Sequence, residues 1–364
     1  MPVGEVDTPA LLVDLDAFDR NLAKMAEVSR RTGVRVRPHT KTHKCPVIAM
    51  KQIALGAVGQ CCQKVGEAEV LVQGGVRNVL VSNQVVGARK LTRLAALAKD
   101  AWIGLCVDSP EHVEAAGEAA RDMGVELATL VEIDVGMTRC GVPPGEAAAD
   151  LGRRITATKG LRFGGLQAYH GTAQHLATWG ERETAIGVAV EKTKASIAAL
   201  SAAGLKCDIV GGAGTGTFQF ESTSGVYNEL QVGSYVFMDT DYARIGGKTS
   251  NRYDEFDHSL FVLATVMSRP TADRAIVDAG LKSYSMEKGV PWVHGLEDVE
   301  VTGVSDEHGK LRVGAGAAPL KLGDKVRLIP GHCDPTVNLH DWYVGIRNGR
   351  VEALWPIAAR GASH

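Results

Sequence analysis

The sequence predicts an α/β protein: a (β/α)8 barrel followed by a C-terminal, mostly antiparallel β domain. Three observations predict it. Eight short apolar or β-branched runs alternate with Ala- and charge-rich segments of helical period, over roughly 230 residues, the size of such a barrel. Several of those runs are apolar throughout, as parallel strands buried on both faces are. Beyond about residue 255 the pattern changes to short strands joined by tight turns.

The elements follow in order. Residues 10–13 read as a first strand that pairs with the C-terminal domain, so residues 1–14 are assigned there. Leu15, Phe18, Leu22 and Met25 then recur at helical spacing, after a cap at Asp14 or Asp16. The eight barrel runs lie near 34–38, 57–63, 78–82, 103–107, 127–133, 163–169, 207–212 and 230–237. The barrel is assigned to residues 15–250; a doubly wound open sheet is the alternative reading of the same runs. In the C-terminal domain, residues 255–364, short strands are expected at 260–267, 274–278, 299–304, 310–313, 325–329 and 342–347. The pair Asn348-Gly349 followed by 350–354 is a hairpin signal.

Composition excludes several classes of function. The 364 residues are 45% hydrophobic and 23% charged, with a formal net charge of -2, which suits a soluble enzyme and no polyanionic partner. No apolar run approaches a bilayer span, and the first residues do not read as a signal peptide. Seven scattered cysteines without paired spacing fit reduced thiols in a cytoplasm. The expected partner is a small-molecule substrate, not nucleic acid or membrane.

Barrel active sites lie at the C-terminal ends of the strands, and polar residues gather at these positions. Lys41 follows the first run within Arg37-Pro38-His39-Thr40-Lys41-Thr42-His43-Lys44. A lysine held among cations loses basicity and becomes an amine nucleophile able to take up a carbonyl cofactor such as pyridoxal phosphate (PLP). Gln63 ends the second run. Arg139 follows the fifth, Tyr169, His170 and His175 the sixth, and Gly211-Gly212-Ala213-Gly214-Thr215-Gly216 the seventh; Gly233-Ser234 lies in the eighth. The glycine run suits either a phosphate cradle or a tight strand exit. After 325–329 comes His332-Cys333-Asp334. In extended chain, i and i+2 share a face, so His332 and Asp334 could share one divalent ion while Cys333 points away.

Together these residues resemble the D-threonine aldolase and D-serine dehydratase family of PLP enzymes, whose architecture is like that of alanine racemase. The segments that carry the resemblance are those around Lys41, Cys62-Gln63-Lys64, Glu132-Ile133-Asp134, Gln167-Ala168-Tyr169-His170-Gly171, the glycine run, residues 227–235 and 330–336. The resemblance implies a homodimer in which Lys41 is the Schiff-base lysine. It implies that Gln63, Arg139, Tyr169, Gly214, Thr215, Gly233 and Ser234 hold the cofactor, and that His175 is the general base, with His170 a nearby second imidazole. It implies a divalent metal on His332 and Asp334. Dehydratase members resemble His-x-Cys and aldolase members His-x-Asp, so Asp334 points to the aldolase branch and to Mn²⁺ or Mg²⁺, with Zn²⁺ also compatible. The expected reaction is cleavage of D-3-hydroxy-α-amino acids to glycine and an aldehyde. A 3-hydroxyaspartate aldolase, a dehydratase of D-serine or 3-hydroxyaspartate, and a non-catalytic PLP-binding protein are the alternatives.

Overall fold

A computed structural model describes all residues, 1–364, and divides them into two compact units. One comprises Lys24–Lys41, Cys45–Gly233 and Gly361–His364; the other Met1–Ala23, Thr42–Lys44 and Ser234–Arg360. In chain order, β1 (Ala10–Asp14) leads into α1 (Leu15–Thr32). There follow β2 (Arg35–Val36), α2 (Pro46–Ala54), β3 (Gln60–Cys62), α3 (Val65–Gln73), β4 (Asn78–Val81), α4 (Ala88–Leu97), β5 (Trp102–Val107) and α5 (Pro110–Met123). Next are β6 (Leu127–Glu132), α6 (Glu146–Ala157), β7 (Leu161–Gln167), α7 (Trp179–Ala202), β8 (Ile209–Gly212), α8 (Phe218–Thr223) and β9 (Glu229–Leu230).

The first of these units is the barrel. Its eight strands are all parallel, in the order β2-β9-β8-β7-β6-β5-β4-β3. The two ends of that path are joined beyond β2: Cys61 N–H donates to Pro38 O (2.8 Å) and Thr40 N–H to Cys61 O (2.8 Å). Outward-facing Val79, Val81, Ile103, Leu105, Val107 and Val131 pack on the helices in one core. Inward-facing Cys61, Leu80, Cys106, Leu130 and Ile209 form a second, smaller one. Local sequence sets the helix limits. In α5, Ser109 Oγ accepts from His112 N–H, Pro110 takes the first turn, and Gly124 ends the helix in the left-handed conformation.

The other unit continues with α9 (Thr240–Ala243), β10 (Leu260–Thr271), β11 (Arg274–Val277), β12 (Trp292–His294), β13 (Val299–Val304), β14 (Gly309–Val313), β15 (Lys325–Ile329), α10 (Cys333–Val337), β16 (Trp342–Arg347) and β17 (Arg350–Pro356). The sheet runs β13-β14-β11-β10-β1-β16-β17, with β15 on β10 and β12 on β15. All pairs are antiparallel except β1 with β16, so the N-terminal strand lies inside the C-terminal sheet. Leu11, Leu12 and Val13 are fully buried there. Three features depart from the sequence reading. The eighth barrel strand is only Glu229–Leu230, because the chain enters a 3-10 turn at Ser234–Val236, so Gly233-Ser234 lie beyond it rather than in it. Trp292–His294 is an additional strand, too short to show alternation. Residues 333–337 form a helix, so 332–334 are not extended chain.

Candidate active site

Lys41 ends a segment whose alternate residues, Arg37 and His39, occupy successive levels of the barrel. Arg37 is buried with both guanidinium arms on the Glu229 carboxylate, at 2.6 and 3.2 Å, and its charge lies over the Trp102 ring. His39 Nδ1 accepts the Lys41 backbone N–H (3.3 Å), and its Nε2 lies 3.1 Å from Ser82 Oγ. Ser82 Oγ in turn donates to Cys62 O (3.4 Å). The nearest preceding cation, Arg37, is paired with a buried carboxylate. What the motif supplies is a rigid, hydrogen-bonded platform.

The other barrel residues sit at strand exits. Gln63 has its backbone N–H on Glu67 Oε2 (2.8 Å), while its amide side chain reaches His39 Nε2 (3.1 Å). Arg139 is half-exposed, 3.9 Å from Glu132, and stacks its guanidinium 5.9 Å from the Tyr169 ring centroid. Burial raises the Glu132 carboxyl above its ordinary range, against the opposing hydrogen bond from Gln84 (2.7 Å). Asp134 fixes the Arg139 loop by accepting from Gly136 and Thr138 N–H; although burial opposes it, these bonds hold its carboxyl below the usual range. His170 is half-buried beside Gly136, and burial, aided by the charge of Lys192, lowers its pKa. His175 is exposed at the end of the 3-10 turn Thr172–His175.

The glycine run is explained mostly by close packing. A Cβ on Gly211 would lie 2.5 Å from Gln231 Nε2, on Gly212 2.7 Å from Ala168 O, and on Gly214 2.5 Å from Gln174 Oε1. Gln167 and Gln231 exchange two amide hydrogen bonds, at 2.7 and 2.8 Å, across this turn. The run also has cradle character. Ala213, at φ 68, turns the chain, and the N–H groups of buried Ala213 and Gly214 donate to no protein acceptor. Thr215 beside them is buried. Unspent buried amides next to a hydroxyl fit a phosphate group. Gly233 is the last residue of the barrel segment. Ser234, first of the other unit, opens a 3-10 turn and is buried.

In the other unit, His332 caps α10 and Asp334 lies in its first turn, with His332 Nε2 and Asp334 Oδ1 4.0 Å apart. The two meet through a helix start, not through extended alternation. Cys333 is buried; its N–H donates to Asp239 Oδ2 (2.9 Å) and its Sγ lies 3.5 Å from Asp334 Oδ1. The thiol thus points toward Asp334 rather than away. Glu287 hydrogen-bonds His332 Nδ1. Burial raises the Asp239 carboxyl, opposed by the charge of His332 and by the Cys333 N–H. No three His, Cys, Asp or Glu side chains converge as a complete ligand set. An imidazole and a carboxylate 4.0 Å apart, with a second carboxylate on the far ring nitrogen, nevertheless fit a divalent ion completed by water or substrate.

Reading by residue type missed Gln174, Thr217, Glu221, Asp239 and Glu287. Gln174 stands beside His175 in the sequence, so its position was marked while its amide was not. Nothing local to Glu221 or Glu287 sets them apart.

Comparison with known proteins agrees with this architecture. Residues 13–241 match the family model described as alanine racemase, N-terminal domain, and residues 259–346 the putative serine dehydratase domain. The chain is 46% identical to a 3-hydroxy-D-aspartate aldolase of Paracoccus denitrificans (strain Pd 1222), over all of this chain and 95% of the relative. It is also 46% identical to a D-threonine aldolase of Arthrobacter sp, with 100% and 95% covered. The crystal structure of D-threonine aldolase from Filomicrobium marinum superposes with a TM-score of 0.97 at 48% identity, over 100% of this chain and 98% of that one. The chain belongs to the D-threonine aldolase and D-serine dehydratase family of alanine racemase-like, PLP-dependent enzymes, and is a carbon–carbon lyase of its aldolase branch.

Proposed function

We propose that this enzyme cleaves D-configured 3-hydroxy-α-amino acids, of the D-threonine or 3-hydroxy-D-aspartate kind, to glycine and an aldehyde. The observation that carries the reading is full-length identity of 46% to aldolases of both substrates. The aspartate two residues after His332, Asp334, supports it.

In this reading Lys41 would hold the cofactor through its side-chain amine. The His39–Ser82 platform fixes the backbone from which Lys41 projects. Ala213 and Gly214 amides, with Thr215, take the phosphate; Gln63, Arg139, Tyr169, Gly233 and Ser234 hold the remainder. When bound, PLP supplies a ring that accepts the electron pair released at Cα. His332 and Asp334 would hold a divalent cation, Mn²⁺ or Mg²⁺ before Zn²⁺, which would supply Lewis acidity toward the substrate hydroxyl. His175 takes the hydroxyl proton, and its exposed position gives that proton a route to solvent. We also propose a cytoplasmic homodimer. None of the seven cysteines is in a disulfide, which supports a reducing compartment, and sedimentation velocity tests the dimer.

The enzyme, supplied with PLP and Mn²⁺, should release glycine and aldehyde in equal amounts from D-threonine and from 3-hydroxy-D-aspartate. Ammonia and an oxo acid without glycine would overturn the aldolase reading. Treatment with a chelator should remove turnover while leaving the PLP absorption unchanged.

A further inference from the structure

Gln174 uses both amide N–H groups and its carbonyl oxygen inside the barrel unit. Its Nε2 donates to Thr217 Oγ1 (2.8 Å) and to His170 O (3.2 Å), and its Oε1 accepts from Gly216 N–H (3.0 Å). Thr217 passes its own proton to Glu221 Oε1 (2.8 Å). Gln174, Thr217 and Glu221 are at most 1% exposed. The chain of bonds thus has a fixed direction, amide to hydroxyl to carboxyl. Only a primary amide fills the first place, since a carboxylate lacks the two donors and a hydrocarbon lacks all three partners. Two of the glycines are accounted for here as well. A Cβ on Gly214 would lie 2.5 Å from Gln174 Oε1, and one on Gly216 2.3 Å from Gln174 O.

We infer that Gln174 is a positioning residue that clamps the imidazole-bearing turn 170–175 to the glycine turn 211–217, with Thr217 and Glu221 as its buried backing. The clamp sets the phosphate cradle and the seat of His175 by one side chain. This inference rests on the reading that cofactor phosphate is taken by the Ala213–Gly214 amides. The Gly216 N–H, being spent on Gln174, is excluded from the cradle. Burial pushes the Glu221 carboxyl up to about 8, and its second oxygen has no partner, so the chain ends on a neutral acid at neutral pH.

The test titrates apoenzyme with PLP, following the absorption of the lysine-linked cofactor, for wild type, Gln174→Glu, Gln174→Ala, Thr217→Val and Glu221→Gln. Gln174→Glu and Gln174→Ala should weaken PLP binding about tenfold or more, the worth of a buried bond removed with its partners left unpaired. At saturating PLP they should also lower kcat more than they raise KM, because His175 is displaced. Glu221→Gln, which still accepts from Thr217, should bind PLP within about twofold of wild type. Unchanged PLP affinity and kcat in both Gln174 variants would overturn the clamp. If a Gln174 variant fails to fold, Thr217→Val breaks the same chain from its other side, and wild-type affinity there overturns it equally. Lys41→Ala separates this from the parent reading. If that variant keeps the lysine-linked absorption, the cofactor assignment fails and the clamp falls with it, whatever the Gln174 variants do.

Discussion

Two buried carboxylates in the barrel unit show how differently one residue type is used. Glu229 is fully buried and meets Arg37 in a bidentate pair, so its charge is matched. Glu221 is equally buried and meets only a hydroxyl, so burial keeps it protonated. The sign of the pH effect follows. Its folded value of about 8 exceeds the ordinary 4.5, so its contribution to stability is whole below 4.5 and is lost as pH rises through 8. Glu221→Gln should therefore gain in melting temperature over wild type as pH climbs from 5 to 8, with the difference levelling above that. A difference independent of pH would show that the carboxyl titrates normally. Lys41→Ala should abolish the lysine-linked absorption and cut turnover at least ~10³-fold, as removal of a nucleophile does. Residue identity marked candidates in advance only where the residue type is itself reactive, as with Lys41, His175 and His332. Amides and unpaired acids such as Gln174 and Glu221 escaped because their roles exist only through neighbours distant in sequence.

At the scale of elements, the barrel strands were legible because burial on both faces leaves unbroken apolar runs such as Trp102–Val107, where every residue after Trp102 is buried. The helix α10 was not. His332-Cys333-Asp334-Pro335 follows a strand and has no helical period to read, yet Asp334 and Pro335 suit a first turn, and Asp239 receives the Cys333 N–H that the helix start leaves over. His332 and Asp334 still converge because the cap residue and the first turn of a helix lie close together. The three-residue strand β12 was invisible for lack of length. Caps allow a quantitative check: Ser109→Ala should cost about 1 kcal/mol by removing the acceptor for His112 N–H at the start of α5. Urea denaturation measures it, and a loss under 0.3 kcal/mol would show that water replaces the cap.

For the molecule as a whole, the decisive piece of topology is β1. It lies between β10, to which it runs antiparallel, and β16, to which it runs parallel, and its Leu12 packs with Phe261, Leu263, Ile329 and Ile346. Leu12→Ala should cost about 2–5 kcal/mol, the range for a fully buried leucine, and should lower the melting temperature of this unit. A loss below 1 kcal/mol would mean that the core collapses around the gap. The order of synthesis adds a kinetic side to the same strand. Residues 10–14 leave the ribosome long before residues 260–263 and 343–346 exist to pair with them. The barrel strands, whose partners are mostly next in line, can assemble meanwhile. The first strand made is thus among the last to be satisfied, an apolar segment with two open edges throughout translation. That delay makes it the place where a stalled chain would begin to aggregate.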